Sequence, residues 1–168
     1  LTIPFLGAIA DKDGRRKPWV IGTAIAISLA SIGLWWVTPQ QGLDGVTLGL
    51  VLLFVIYTAF PVSEVFHNAM LPSIVPANKA GLISGLGFSS GNMSGLVLML
   101  FVLFAFAMPG VQPWSFLPDE PWFGIDQSLF EHDRLIGPLC GVWILIFPLP
   151  VLFFTPDGEI SSRSWKDS

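Results

Sequence analysis

The chain alternates long apolar runs with short polar connections. Four predominantly apolar stretches, residues 19–37, 46–71, 81–108 and 136–154, stand out, the second uncharged over 46–61 and continuing toward 71. Each can supply the roughly 20 helical residues that cross a hydrocarbon core about 30 Å thick. A fifth run, residues 1–10, is too short to span and reads as the last turns of a helix. Strands of an outer-membrane barrel alternate apolar and polar side chains, and these runs do not. The pattern predicts an all-α, polytopic transmembrane helix bundle.

Composition agrees. Of 168 residues, 52% are hydrophobic and 12% are charged, where a soluble domain carries about 25% charged residues; the mean hydropathy is +0.69. The charges gather in the connections, as expected when lipid replaces water around the helices. The net charge of −4 adds little, because placement matters more than the sum. Cys140 is the sole cysteine, so no intrachain disulfide can form, and it reads as a helix-packing residue. No charged n-region or cleavage site marks a signal peptide. Both ends read as cut, and residues 155–168 read as the start of a central loop that follows a partial six-helix half, residues 1–154.

Counting spans puts residues 11–17, 72–79 and 155–168 on one side, with Lys12, Arg15, Arg16, Lys17, Lys79, Arg163 and Lys166. The other side has Arg134 alone. Basic residues in short loops favour the cytoplasm, so the first side is the inner one. The long outer connection, residues 110–134, carries Asp119, Glu120, Asp126, Glu131 and Asp133 with Trp114 and Trp122, and is expected to form a structured cap or interfacial hairpin.

The first inner loop reads Gly7-Ala-Ile-Ala-Asp11-Lys12-Asp13-Gly14-Arg15-Arg16-Lys17-Pro18. It resembles the signature loop between helices 2 and 3 of the major facilitator superfamily, with Gly7, Asp11, Lys12, Gly14, Arg16 and Lys17 at the specified positions. A glycine lets another helix come close, an aspartate faces a helix N-terminus favourably, and the basic residues meet the anionic inner leaflet. The resemblance implies a gating loop that latches two six-helix halves; a positive-inside anchor is the plainer alternative. Phe66-His67-Asn68-Ala69-Met70-Leu71-Pro72, with Gly81, Ser84, Gly85 and Gly87, resembles the vacuolar-effluxer-like, autophagy-related branch, with His67 where that branch usually has tyrosine. That branch implies amino-acid efflux, and the whole resemblance covers about helices 2 to 6 of twelve.

Ionisable residues within spans are costly and often functional. Glu64 and His67 lie three apart on one helical face, with Tyr57 and Asn68 near it as candidate substrate contacts. Glu64 sits about 27 Å along its helix from Val46, near the inner interface. That depth favours a charge partnership with Arg15, Arg16 or Lys79 over a proton site, and a satisfied interfacial role for His67. Pro61 is expected to kink the helix. Gly81, Gly85, Gly87, Gly91 and Gly95 are spaced for close helix packing, either static or against the other half. Asn92, near mid-span, is a further candidate for substrate contact.

No metal-ligand cluster, nucleophile triad or phosphate-binding loop is legible. No cofactor, metal or catalytic residue is therefore assigned, and the chain is not read as an enzyme. Basic residues are too few and dispersed for nucleic acid. The function expected is secondary active transport of a small solute by alternating access, amino-acid-like efflux being what the branch implies. A non-transporting membrane scaffold or receptor is the alternative. The expected partners are the lipid bilayer, a small-molecule solute and a missing C-terminal half of the same chain. The expected location is a bacterial inner (plasma) membrane.

Overall fold

A computed structural model of the protein describes residues 16–154, and the loop positions Gly7, Asp11, Lys12, Gly14 and Arg15 fall outside them. Among the described residues there are helices, turns and loops but no strand. Helix α1 spans Lys17–Gly33, α2 Leu43–Ile74, α3 Ala80–Val102, α4 Glu131–Arg134, α5 Ile136–Ile146 and α6 Leu149–Phe154. Among the described residues three helical runs are long and apolar enough to cross a membrane: Lys17–Trp36, Leu43–Leu71 and Ala80–Ala107. Below, inner denotes the Lys17 end of the run Lys17–Trp36 and outer its Trp36 end.

The stretch 136–154 differs from the uninterrupted span read from its hydropathy. It is two helices, α5 and α6, parted at Phe147 and Pro148. Pro148 has no N–H to give the carbonyl of Ile144, and its ring crowds that carbonyl. With 11 residues, α5 reaches only about 16 Å. Pro61, by contrast, lies inside α2, which continues unbroken through it.

Helices α1 and α2 form an antiparallel hairpin. A 3-10 turn, Leu34–Trp36, ends α1, and a second, Pro39–Gln41, precedes α2. Thr38 and Gln41 make a capping box, the Thr38 N–H donating to Gln41 Oε1 at 3.1 Å. Gly42 follows with φ +56° and ψ −128°, a conformation that side-chain-bearing residues avoid. At the inner end Trp19 stacks on Phe66, centroids 5.3 Å apart and rings 8° from parallel. Val20, Phe66 and Met70 are buried beside them, with Val62 against the cluster.

On its other side α1 carries α5 at backbone contact. A Cβ on Gly141 would lie 2.8 Å from Ile32 Cγ1 and 2.9 Å from the Ser28 carbonyl oxygen. On Gly137 it would meet the Ser31 carbonyl oxygen and come within 2.9 Å of Leu34 Cβ. The buried Ser28 hydroxyl donates to the Gly141 carbonyl at 2.8 Å, so the polar group placed in this seam is satisfied. Small residues that allow backbones to touch and hydroxyls that bond across are how helices associate in lipid.

Helix α3 stands apart along most of its length and rejoins the rest at its outer end. There Val102, Ala105 and Phe106 are buried, packed by Leu98, Ile125, Leu135 and Leu139. The last turn, Leu103–Ala107, is π-helical, the Met108 N–H bonding the Leu103 carbonyl at 2.9 Å. Gln127 Nε2 donates to the carbonyls of Phe106, Ala107 and Pro109 at 2.8, 3.2 and 3.0 Å, answering helix-end acceptors that would otherwise lack partners. The outer connection is an ordered cap. In it Asp126 accepts from the Ser128 hydroxyl and N–H at 2.6 and 2.8 Å, and Glu131 accepts from the Asp126 N–H at 2.9 Å.

Candidate functional site

The site grows from the two seams of α1. Between α1, α2 and α5 lies a cleft in two chambers that share Ile27, Phe60 and Ile144. The outer chamber, about 660 Å³, is lined by Ser31, Leu53, Tyr57, Asp133, Arg134 and Cys140, among others. The inner chamber, about 310 Å³, is lined by Ser63, Glu64 and His67 from α2, and by Trp143, Phe147 and Pro148 at the end of α5. Volumes of about 300–1,000 Å³ with few polar groups in an apolar wall are typical of small-molecule sites. The shared residues are all apolar, so the polar groups of the cleft lie toward its two ends rather than at the waist.

At the inner end the i,i+4 pair Ser63 and His67 is fixed by helical geometry. His67 Nδ1 lies 3.0 Å from the Ser63 carbonyl oxygen. The Ser63 hydroxyl stands 3.4 Å from the same nitrogen, so Nδ1 donates to the carbonyl in one tautomer of the neutral ring and accepts from the hydroxyl in the other. Glu64 is exposed at the chamber's edge, and neither Arg16 nor Lys79 forms an ion pair with it among the described residues. Arg16 instead donates through its guanidinium to the Ala69 carbonyl. The last part of the signature loop thus fastens α1 to the inner half of α2, beside the Trp19–Phe66 stack. Lys17 begins α1 and is half-buried.

At the outer end Arg134 docks on the turn that closes α1. Its Nε donates to the Trp35 carbonyl at 2.8 Å, and its guanidinium carbon stands 4.8 Å from the centre of the Trp35 ring. Cation–π contact and a charged hydrogen bond coincide there. Asp133 beside it is exposed. Within the cap, the Ser128 hydroxyl and then the Ser128 N–H hold the Asp126 carboxyl below its ordinary pKa.

The residues expected on one face of α2 do not all meet. Glu64 and His67 share the inner chamber, Tyr57 faces the outer one, and Asn68 is exposed and lines neither. Asn92 turns its amide onto its own helix, donating to the Phe88 carbonyl at 2.9 Å. Gly81, Gly85, Gly87, Gly91 and Gly95 are exposed, and a Cβ on any of them would meet nothing within 4 Å among the described residues. Reading the sequence missed Gly137 and Gly141, although their four-residue spacing is the same signal. It also missed Arg134 as an anchor, Gln127 as a cap and Trp143 as a chamber wall.

An all-helical bundle with three long apolar helices and large exposed apolar side chains defines an integral, multi-pass membrane protein. Over residues 1–82 the chain matches the model of the family described as Vacuole effluxer Atg22 like, a family of transporters rather than of enzymes. That is the branch resembled by the Phe66–Pro72 motif, and the match also takes in the signature loop. The description names the vacuole, so the expectation of a bacterial inner membrane gains no support from it. No curated protein and no solved structure matches the chain.

Proposed function

We propose that the protein is a secondary carrier that moves a small, amino-acid-like solute by alternating access, driven by an ion or solute gradient. The observation that carries this reading is the cleft between α1, α2 and α5, polar at both ends and apolar at Ile27, Phe60 and Ile144. A solute with charged and apolar parts finds Asp133 and Arg134 near one end and Glu64 near the other. The match to an effluxer family supports the direction, outward from the compartment that holds the solute. The open glycine series of α3 is the surface that a second half of the carrier would rock against. In that scheme Asp11 and Gly14 belong to the latch between halves, and Glu64 with His67 forms the polar mouth at the inner end.

The test is efflux of a labelled amino-acid mixture from proteoliposomes containing the full-length protein. Saturable, gradient-dependent efflux that Asp11→Asn reduces without loss of folding is the expected result. A folded, properly inserted protein with no saturable efflux would instead leave the scaffold or receptor reading standing.

A further inference from the structure

The inner chamber has a chemistry of its own. Glu64 is the one formally charged residue among the described residues that line it, and no Lys or Arg does. The Glu64 carboxylate has no hydrogen-bond or ion-pair partner among the described residues. His67 lines the chamber as well, its Nδ1 held against the Ser63 carbonyl and hydroxyl, which leaves Nε2 for a ligand. Across from α2, Trp143 and Phe147 stack with centroids 4.2 Å apart and rings 24° from parallel. Phe60 supplies a third ring to the lining. A carboxylate with no Lys or Arg beside it in the lining, set against an aromatic wall, suits a cation that donates N–H groups: the carboxylate takes the protons and the ring faces attract the charge. The volume of about 310 Å³ fits a ligand with a single ring or a short alkyl body.

We propose that the inner chamber is a binding site for primary ammonium compounds with one apolar group, recognised through Glu64, His67 and the Trp143–Phe147 pair. A carboxylate on the ligand is not needed, and a carboxylate in place of the ammonium is repelled by Glu64, with no Lys or Arg in the lining to offset that charge. The site names the solute class for the carrier proposed above and rests on that reading only where flux is concerned; binding stands by itself.

The experiment measures labelled phenethylammonium binding to the full-length protein in phosphatidylcholine nanodiscs, with competition by phenethyl alcohol and hydrocinnamate. Saturable binding is expected that neither the neutral nor the anionic compound displaces. Glu64→Gln should weaken it about tenfold, as for loss of a charged hydrogen bond, and Trp143→Leu by about threefold to tenfold. Glu64→Asp, which keeps the charge, should retain most of the affinity and shows that the effect is not misfolding. Equal displacement by hydrocinnamate, or unchanged affinity in a folded Glu64→Gln protein, would overturn the site. Binding without any efflux would overturn the carrier and leave the site, whereas amino-acid efflux without this binding would do the reverse.

Discussion

Among the described residues three helices carry glycines four residues apart, Gly45 and Gly49 in α2 being one such pair, and the other two, α5 and α3, meet opposite surroundings. In α5, Gly137 and Gly141 lie against the backbone of α1, with no room for a methyl group at either. In α3, Gly81, Gly85, Gly87, Gly91 and Gly95 face open space among the described residues. The spacing is the same because it encodes the same permission, a smooth stripe that another helix can approach. It does not say what approaches. The difference separates a joint that is already made from one left open, and it divides the described bundle into a fixed unit of α1, α2 and α5 and an outlying α3 tethered at its outer end.

The largest effect is expected from filling the closed joint. Gly137→Val should destabilise the fold by about 3 kcal/mol or more, since even modest overpacking of a tight interface costs about 1–3 kcal/mol. Thermal unfolding in detergent checks this, and an unchanged midpoint would break the comparison. The matched substitution Gly91→Val should leave the same midpoint where it is. Next in size is Arg134→Gln, expected to cost about 1–3 kcal/mol through the lost charged hydrogen bond to Trp35 and its ring contact. Its outer turn should then exchange amide hydrogens faster than in the parent.

How much of this could be read beforehand follows the same division. The all-helical membrane class was legible because apolar runs of spanning length have few other uses. The break at Pro148 was not, because hydropathy is blind to a missing N–H, although the proline itself was in view. Glu64 and His67 were legible as a pair, since helical periodicity fixes an i,i+3 relation within one helix. Tyr57 was grouped with them because angular position around a helix says nothing of the distance along it. Ten residues separate Tyr57 from His67, about 15 Å, and the two line different chambers. The walls given by Trp143 and Phe147, and the anchorage of Arg134 on Trp35 across 99 residues of chain, depend on which helices pack, which a single sequence does not specify.

Smaller effects sharpen the picture of the tether. Ser28→Ala should cost about 1 kcal/mol, the usual net worth of one intramolecular hydrogen bond, and loosen the α1–α5 seam without opening it. Gln127→Leu should cost a similar amount by leaving the carbonyls of Phe106, Ala107 and Pro109 without their donor, and proteolysis of the outer cap should quicken. Least of all is the effect of acid on that cap. The carboxyl of Asp126 has its pKa lowered by Ser128 in the folded protein, so its contribution is complete above the unfolded pKa and disappears as pH falls through the folded one. Exchange of the Ser128 amide should therefore be protected near neutrality and lose that extra protection only in strong acid. In Asp126→Asn this acid-dependent loss should be absent.

The central claim is that the described unit is a fixed part of a carrier whose open glycine face moves against a partner. Efflux of a labelled amino-acid mixture from proteoliposomes, measured for the full-length parent and for Gly91→Leu, tests it most directly. The account predicts saturable efflux by the parent and its loss in Gly91→Leu, with the thermal midpoint unchanged. Undiminished efflux in the substituted protein would contradict it.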